Sequence, residues 1–525
     1  MRKNRKIGVG LLAGLLSCSC LYALPVDRAA KKLDTLVDQK LEELGIQKAP
    51  PCSDAVFLRR VYLDLTGTIP TREEAEAFLA NSSNSRRTDL IEKLLNSPKF
   101  SDYWTMKWCE ILRVKSEFPS NLWPNAVQAY YRWIHTAIRD NMPLDRFAWM
   151  LLVSSGSNFR DGPVNFYRAV PSRNPEALAE TAVLAFMGER TQYWPKKKQL
   201  ETAAFFAGVS YKKTSEWKEE IIYFDPSKKL FDPTSKQEIS PRFPDGKAAD
   251  IPKGEDPRRS FARWLISSDA FSRYMANRLW FELMGRGIVH QPDDFRPDNP
   301  PENSALLDFL ANELAQNNYD ARHLLRVISN SKTYQRACVP PEGAPEDLVH
   351  FSHYLIRRLE AELLIDAICQ ITQTTESYSS AIPEPFTWIP KNKRAVQLAD
   401  GSITSPFLEL FGRPPRDTGY VAERNNTPSP DQALHMLNST HIQKKIWKNQ
   451  RLLGAYYLPK KKDKKPIKRW KSNPETIDIL YLTVLSRYPT SEEKRILQNA
   501  LTQKKVNRGD LLWLLLNSSE FLYRH

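Results

Sequence analysis

The sequence predicts a mainly α protein, with two helical lobes joined by a small connector rich in β-hairpins. Three observations lead there. Apolar residues recur at helical spacing, as in Asp54–Leu65, where Val56, Leu58, Val61 and Leu65 fall near one face and Arg59, Arg60 and Asp64 fall elsewhere. Strand-like runs lie together at Glu220–Phe224 and Lys229–Phe231, in a stretch rich in Pro, Lys and Asp. A chain of 525 residues is also too long for one core and divides into two or three domains.

The elements follow in order. Residues 1–23 read as an export leader: Met1–Lys6 is basic and Ile7–Leu16 is apolar but too short to span a bilayer. Leu15-Leu16-Ser17-Cys18 has the form of a lipidation site at Cys18, and the competing reading is cleavage after Ala23. No later segment offers about 20 uninterrupted apolar residues. An N-terminal helical domain is expected over residues 24–211. Within it Thr71 and Glu74 form a capping box at the start of a helix, and further helices are expected over Arg86–Leu95, Tyr103–Val114, Ala126–Asn141 and Leu144–Val153. The connector covers residues 212–256, with Asp225-Pro226-Ser227 between its strand-like runs. A C-terminal helical domain is expected over residues 257–525, interrupted by an irregular proline-bearing stretch from Ser377 to Thr404.

The chain echoes itself. Pro-Thr-x-Glu-Glu at Pro70–Glu74 is followed by Leu-Leu-Asn-Ser-Pro-Lys-Phe at Leu94–Phe100. The same order recurs at Pro489–Glu493 and Leu515–Phe521, and related helix endings occur at Leu265–Phe271 and Ile328–Tyr334. Asn and Ser side chains compete for backbone hydrogen bonds and stop a helix, after which an aromatic packs back on the core. The echo therefore predicts a shared packing unit rather than a site.

The formal charge of +15 suits an anionic glycan or lipid headgroup; nucleic acid is not expected for an exported chain. Part of the excess is local, at Lys196–Lys198 and Lys460–Lys465, where it reads as solvated loop charge. Beyond the leader there are four cysteines, Cys52, Cys109, Cys338 and Cys369, open to one disulfide or to four thiols. There is no Cys-x-x-Cys, hence neither a zinc knuckle nor covalent haem attachment, and no cofactor is expected. No Gly-x-Ser-x-Gly, His-Glu-x-x-His, phosphate loop or dinucleotide fingerprint appears.

Three charged constellations remain. In Phe411–Asp417 a rigid Gly-Pro turn presents Arg413 and Arg416, with Arg424 nearby. These arginines can grip a carboxylate, sulfate or phosphate, or they bridge Asp417, Glu423 or helix carbonyls and hold the loop. In His290–Asp298, Asp293, Asp294 and Asp298 with His290 are hard-metal or acid–base candidates, though the spacing matches no calcium loop, or the aspartates pair with Arg296 and Arg286 in a structural loop. In Arg357–Asp366, Glu362 and Asp366 share a helix face and, with Glu360, are candidates for glycoside hydrolysis, or they are members of an ion-paired helix in which Arg358 meets Glu362 at i,i+4.

The wording of Asp54–Pro70, Asp256–Gln335 and Phe411–Asn438 closely resembles a two-domain family of the planctomycete and verrucomicrobial cell envelope. Its parts are the domains of unknown function numbered fifteen forty-nine and fifteen fifty-three, first described beside cytochrome c modules. In many members a Cys-x-x-Cys-His motif lies between segments that survive here as Ala185–Arg190 and Ala203–Phe206, but the joining Thr191–Lys198 carries neither Cys nor His. A second Cys-x-Cys of the family corresponds to Tyr420 and Ala422. The joint loss of both clusters implies that they form one site in the relatives and that this chain is a haem-less variant. The resemblance implies an exported, non-redox scaffold or binding protein for an anionic glycan or an envelope partner. A polysaccharide hydrolase using Asp293, Asp294, Glu360 or Glu362 is the alternative.

Overall fold

The computed structural model describes residues 24–525 apart from 345, 450–451, 454 and 459–466; for 455–458 and 467–470 it describes backbone pairing alone. Cys18 and the lysines at 460–465 therefore lie outside the described residues. The first half contains α1 (Val26–Leu44), α2 (Asp54–Thr66), α3 (Arg72–Ala80), α4 (Arg86–Leu95), α5 (Pro98–Ile111), α6 (Pro124–Arg139) and α7 (Leu144–Val153). After β1 (Gly156–Ser157) come α8 (Pro175–Met187), α9 (Lys196–Ala203), β2 (Val209–Lys213) and β3 (Glu220–Phe224). The second half opens with α10 (Pro257–Ile266), α11 (Asp269–Met284), α12 (Ser304–Gln316) and α13 (Ala321–Asn330), then β4 (Arg357–Arg358) and α14 (Ala361–Thr372). It closes with α15 (Pro406–Leu410), α16 (Pro430–Asn438), α17 (Thr440–Lys448), β5 (Ala455–Leu458) and β6 (Ile467–Trp470), followed by α18 (Asn473–Leu485), α19 (Ser491–Thr502), α20 (Arg508–Leu516), α21 (Ser519–Leu522) and β7 (Tyr523–Arg524). The fold is mainly α, with only small antiparallel sheets. No described helix is long and apolar enough to cross a membrane.

The local rules act as the sequence reading requires, with shifted boundaries. Thr71 and Glu74 form a capping box, and Thr490 and Glu493 repeat it. In each echoed ending the serine caps the next turn. Ser97 accepts from the Phe100 N–H, Ser268 from Phe271, Ser331 from Tyr334 and Ser518 from Phe521. All four aromatics are buried. Two helices start earlier than expected, at Pro98 and Pro124, because proline suits the first helical position, where its missing N–H costs nothing.

The connector differs from the expectation. Glu220–Phe224 is a strand, but its partner is β2, and β1 pairs on its other edge, Gly156 opposite Ile222. Of Lys229–Phe231 only Phe231 bridges, to Glu238, since Pro233 closes the run at once.

Helix α2 carries the main departure. Arg59, Arg60 and Asp64, read as lying off the apolar face, are buried. Arg59 donates to the carbonyls of Val484 and Phe521, and Arg60 to those of Tyr334, Arg336 and His525. Helix α2 is thus enclosed by α3, α4, α5 and α11 and, around its arginines, by chain from the far end. Helix α1 packs on α12 and α13, and α3 on α18, so the buried apolar side chains of both halves join in one cluster, from Ala29 to Phe521. All four described cysteines are free thiols.

Candidate functional site

Where the halves meet, a cavity of about 290 Å³ opens, at the lower edge of the roughly 300–1,000 Å³ usual for ligand pockets. Helix α5 supplies Lys107 and Glu110, one turn apart on one face, and α11 supplies Arg278 and Glu282 in an i,i+4 pair. The far end of the chain adds Arg357 and Arg358 from β4, Glu360 at the mouth of α14, Arg424 from the following loop and Arg524 from β7.

The charges form two linked chains. Lys107 Nζ lies 2.6 Å from Glu360 Oε1 and 3.1 Å from Glu282, which also holds Arg278 at 3.2 Å. Arg424 grips both oxygens of Glu362, at 2.8 and 3.1 Å, and reaches Glu110 at 2.5 Å. Behind the cavity, Asp64 accepts from Arg524 at 2.7 Å, from the hydroxyls of Tyr334 and Tyr354 at 2.7 and 2.9 Å, and from Arg357 at 3.3 Å. Burial opposes charge on Glu360, but Lys107, Arg424 and Arg524 outweigh it and hold the carboxyl well below its ordinary value. Burial likewise opposes Glu282 and Glu362, and the cations beside each again win. Lys107 is held above its ordinary value, the pull of Glu282 and Glu360 exceeding the burial penalty.

Carboxyls with lowered folded values add stability that is present above the ordinary value of 4.5 and lost as pH falls through the folded ones. Acid unfolding followed by circular dichroism is expected to begin below that value. It should take up fewer protons in Glu360→Gln; an unchanged proton uptake would refute the assignment.

The sequence candidates are distributed as follows. Glu360 lines the cavity and Glu362 lies just behind it, each paired to cations. Arg358 does not meet Glu362 as expected, because it sits on a strand before the helix and bonds to Gln432 instead. Asp293 is buried, 3.3 Å from Arg190, and accepts from the Val421 N–H at 3.0 Å. Asp294 pairs with Arg296 at 3.2 Å, whereas Arg286 turns to Glu302. Neither aspartate lines the cavity. The Gly-Pro turn does not present its arginines outward. Arg413 is spent on the carbonyls of Ile403 and Asp400 and on Glu362, and Arg416 on those of Val114, Ala399 and Leu398. Gly412 makes this docking possible: a Cβ there would lie 1.8 Å from the Asn425 carbonyl oxygen. Of the three arginines only Arg424 reaches the cavity.

The two domains also touch beside the cleft, where the Arg190 guanidinium lies 4.9 Å from the centre of the Tyr420 ring. Lys107, Glu110, Glu282 and Arg524 were not among the sequence candidates. Their pairs join residues up to hundreds of positions apart, which no local pattern records.

Fold and site together define a helical protein whose halves close over a buried, cation-rich cleft. Residues 32–209 match the family model PSCyt2, protein of unknown function (DUF1549), and residues 257–501 match PSD1, protein of unknown function (DUF1553). The chain belongs to the two-domain family built of these units. No curated protein and no solved structure matches it.

Proposed function

We propose that the protein is an exported, non-catalytic binding protein that grips the carboxylate or sulfate of an anionic glycan in the cleft between its halves. The observation that carries this reading is the charge of the lining, six cationic side chains against three carboxylates. Those carboxylates are already ion-paired, so the lining keeps an excess of positive charge. An oxyanion entering the cavity meets that excess of guanidinium groups.

A hydrolase is less well supported. It needs one carboxyl protonated near neutrality and another free across the cleft, whereas Glu282 and Glu360 are both depressed and occupied. Export is inferred from the basic and apolar leader with its Cys18 motif. The test uses Arg358, at the cavity's edge. Arg358→Gln is expected to weaken binding of galacturonate or sulfated oligosaccharides about tenfold in calorimetry, with the melting temperature nearly unchanged. Binding equal to that of the unmodified protein would refute the cleft.

A further inference from the structure

A second surface stands out because it is aromatic and wet. The rings of Trp123, Trp217 and Phe386 meet with centroids 4.6, 5.6 and 5.9 Å apart. They come from three remote segments: the N-cap of α6, the β2–β3 turn and the irregular proline-bearing stretch. Trp217 is 59 % exposed and Phe386 49 %, and Trp388, two residues on, is 61 % exposed. Large rings gathered in water mark an interaction surface rather than scattered exposure.

The cluster is held in place. The Ser116 N–H donates to Asp400 at 2.9 Å and the Glu117 N–H to Ser402 at 3.1 Å, fixing the loop that leads to Trp123. Thr214 donates to Glu219 at 2.8 Å within the β2–β3 turn, and Thr387 is buried between the two exposed rings of its own segment. Trp123 has φ +71°, a region a bulky residue rarely adopts, and its ring sits within the cluster.

Charge is interleaved with the rings. Lys218 Nζ stands 5.5 Å from the centres of both Trp123 and Trp217, and Lys393 Nζ 5.7 Å from Trp388. Lys212, Lys213 and Lys391 are exposed on the same segments, against the exposed carboxylates Glu216 and Glu384. An apolar protein partner calls for an uninterrupted apolar patch. Rings alternating with cations instead fit a pyranose, whose C–H face is apolar while its rim carries hydroxyls and an anionic group.

We propose that Trp123, Trp217 and Phe386 form a stacking platform for the pyranose rings of an acidic polysaccharide, apart from the cleft. None of the three lines the cleft. The proposal rests on the glycan reading for the class of ligand but not for its place. The test titrates the tryptophan fluorescence of the full chain with oligogalacturonate and with chondroitin sulfate oligosaccharides, using neutral dextran as control. Salt is kept at about 0.15 M, where exposed charges are screened beyond about 8 Å. Trp217→Ala and Phe386→Ala are each expected to weaken binding about tenfold with unchanged melting temperature. If both variants bind normally while Arg358→Gln does not, the platform is refuted and the cleft stands. If they lose binding while Arg358→Gln keeps it, the platform stands alone. If neither acidic probe binds the unmodified protein, or if dextran binds equally well, the platform as proposed is wrong.

Discussion

Asp64→Ala is expected to lower the unfolding free energy by about 3–5 kcal/mol, the usual cost of leaving a buried charge without its counter-ion. The side chain of Asp64 is fully buried and meets two guanidiniums and two phenol hydroxyls. Removing it leaves Arg524, itself almost wholly buried, facing Glu360 at 3.9 Å as its nearest remaining carboxylate. Asp64→Asn separates the terms, because it keeps shape and an acceptor while deleting charge. Urea unfolding measures both variants. A loss below about 1 kcal/mol in Asp64→Ala would show that the arginines find other partners, as they would in an exposed pair.

Glu362→Ala is expected to cost as much, about 3–5 kcal/mol, since Arg424 and Arg413 both depend on that buried carboxylate. Adding Arg424→Ala should then cost less than the two single changes summed, because each single variant strands a charge that the double variant removes. Strict additivity would mean that the bidentate contact at 2.8 and 3.1 Å carries no coupling.

Much of this was legible locally. Capping boxes at Thr71 and Thr490 and the serine–aromatic endings involve residues three apart, so the sequence displays both partners. The site was only half legible. Glu360 and Glu362 stood out in one charged stretch and Arg424 in another, and Glu360 and Arg424 line the cleft. The burial of Arg59 and Arg60 was invisible, because helical periodicity assigns charge to the solvent side. Their acceptors are backbone carbonyls hundreds of residues away, and a carbonyl leaves no mark in a sequence. The outward turn at Arg413 and Arg416 misled for the same reason.

The wrapping of α2 sets an order of events. Arg59 lacks its acceptors until Val484 and Phe521 have been synthesised, and Arg60 completes its set only with His525. Contacts of such sequence separation form late and slowly, so the nascent first domain stays incomplete while more than four hundred further residues emerge. A chain that cannot close early stays exposed to aggregation for longer. Synthesis direction and architecture are thereby coupled: helices made more than four hundred residues later finish the packing around α2.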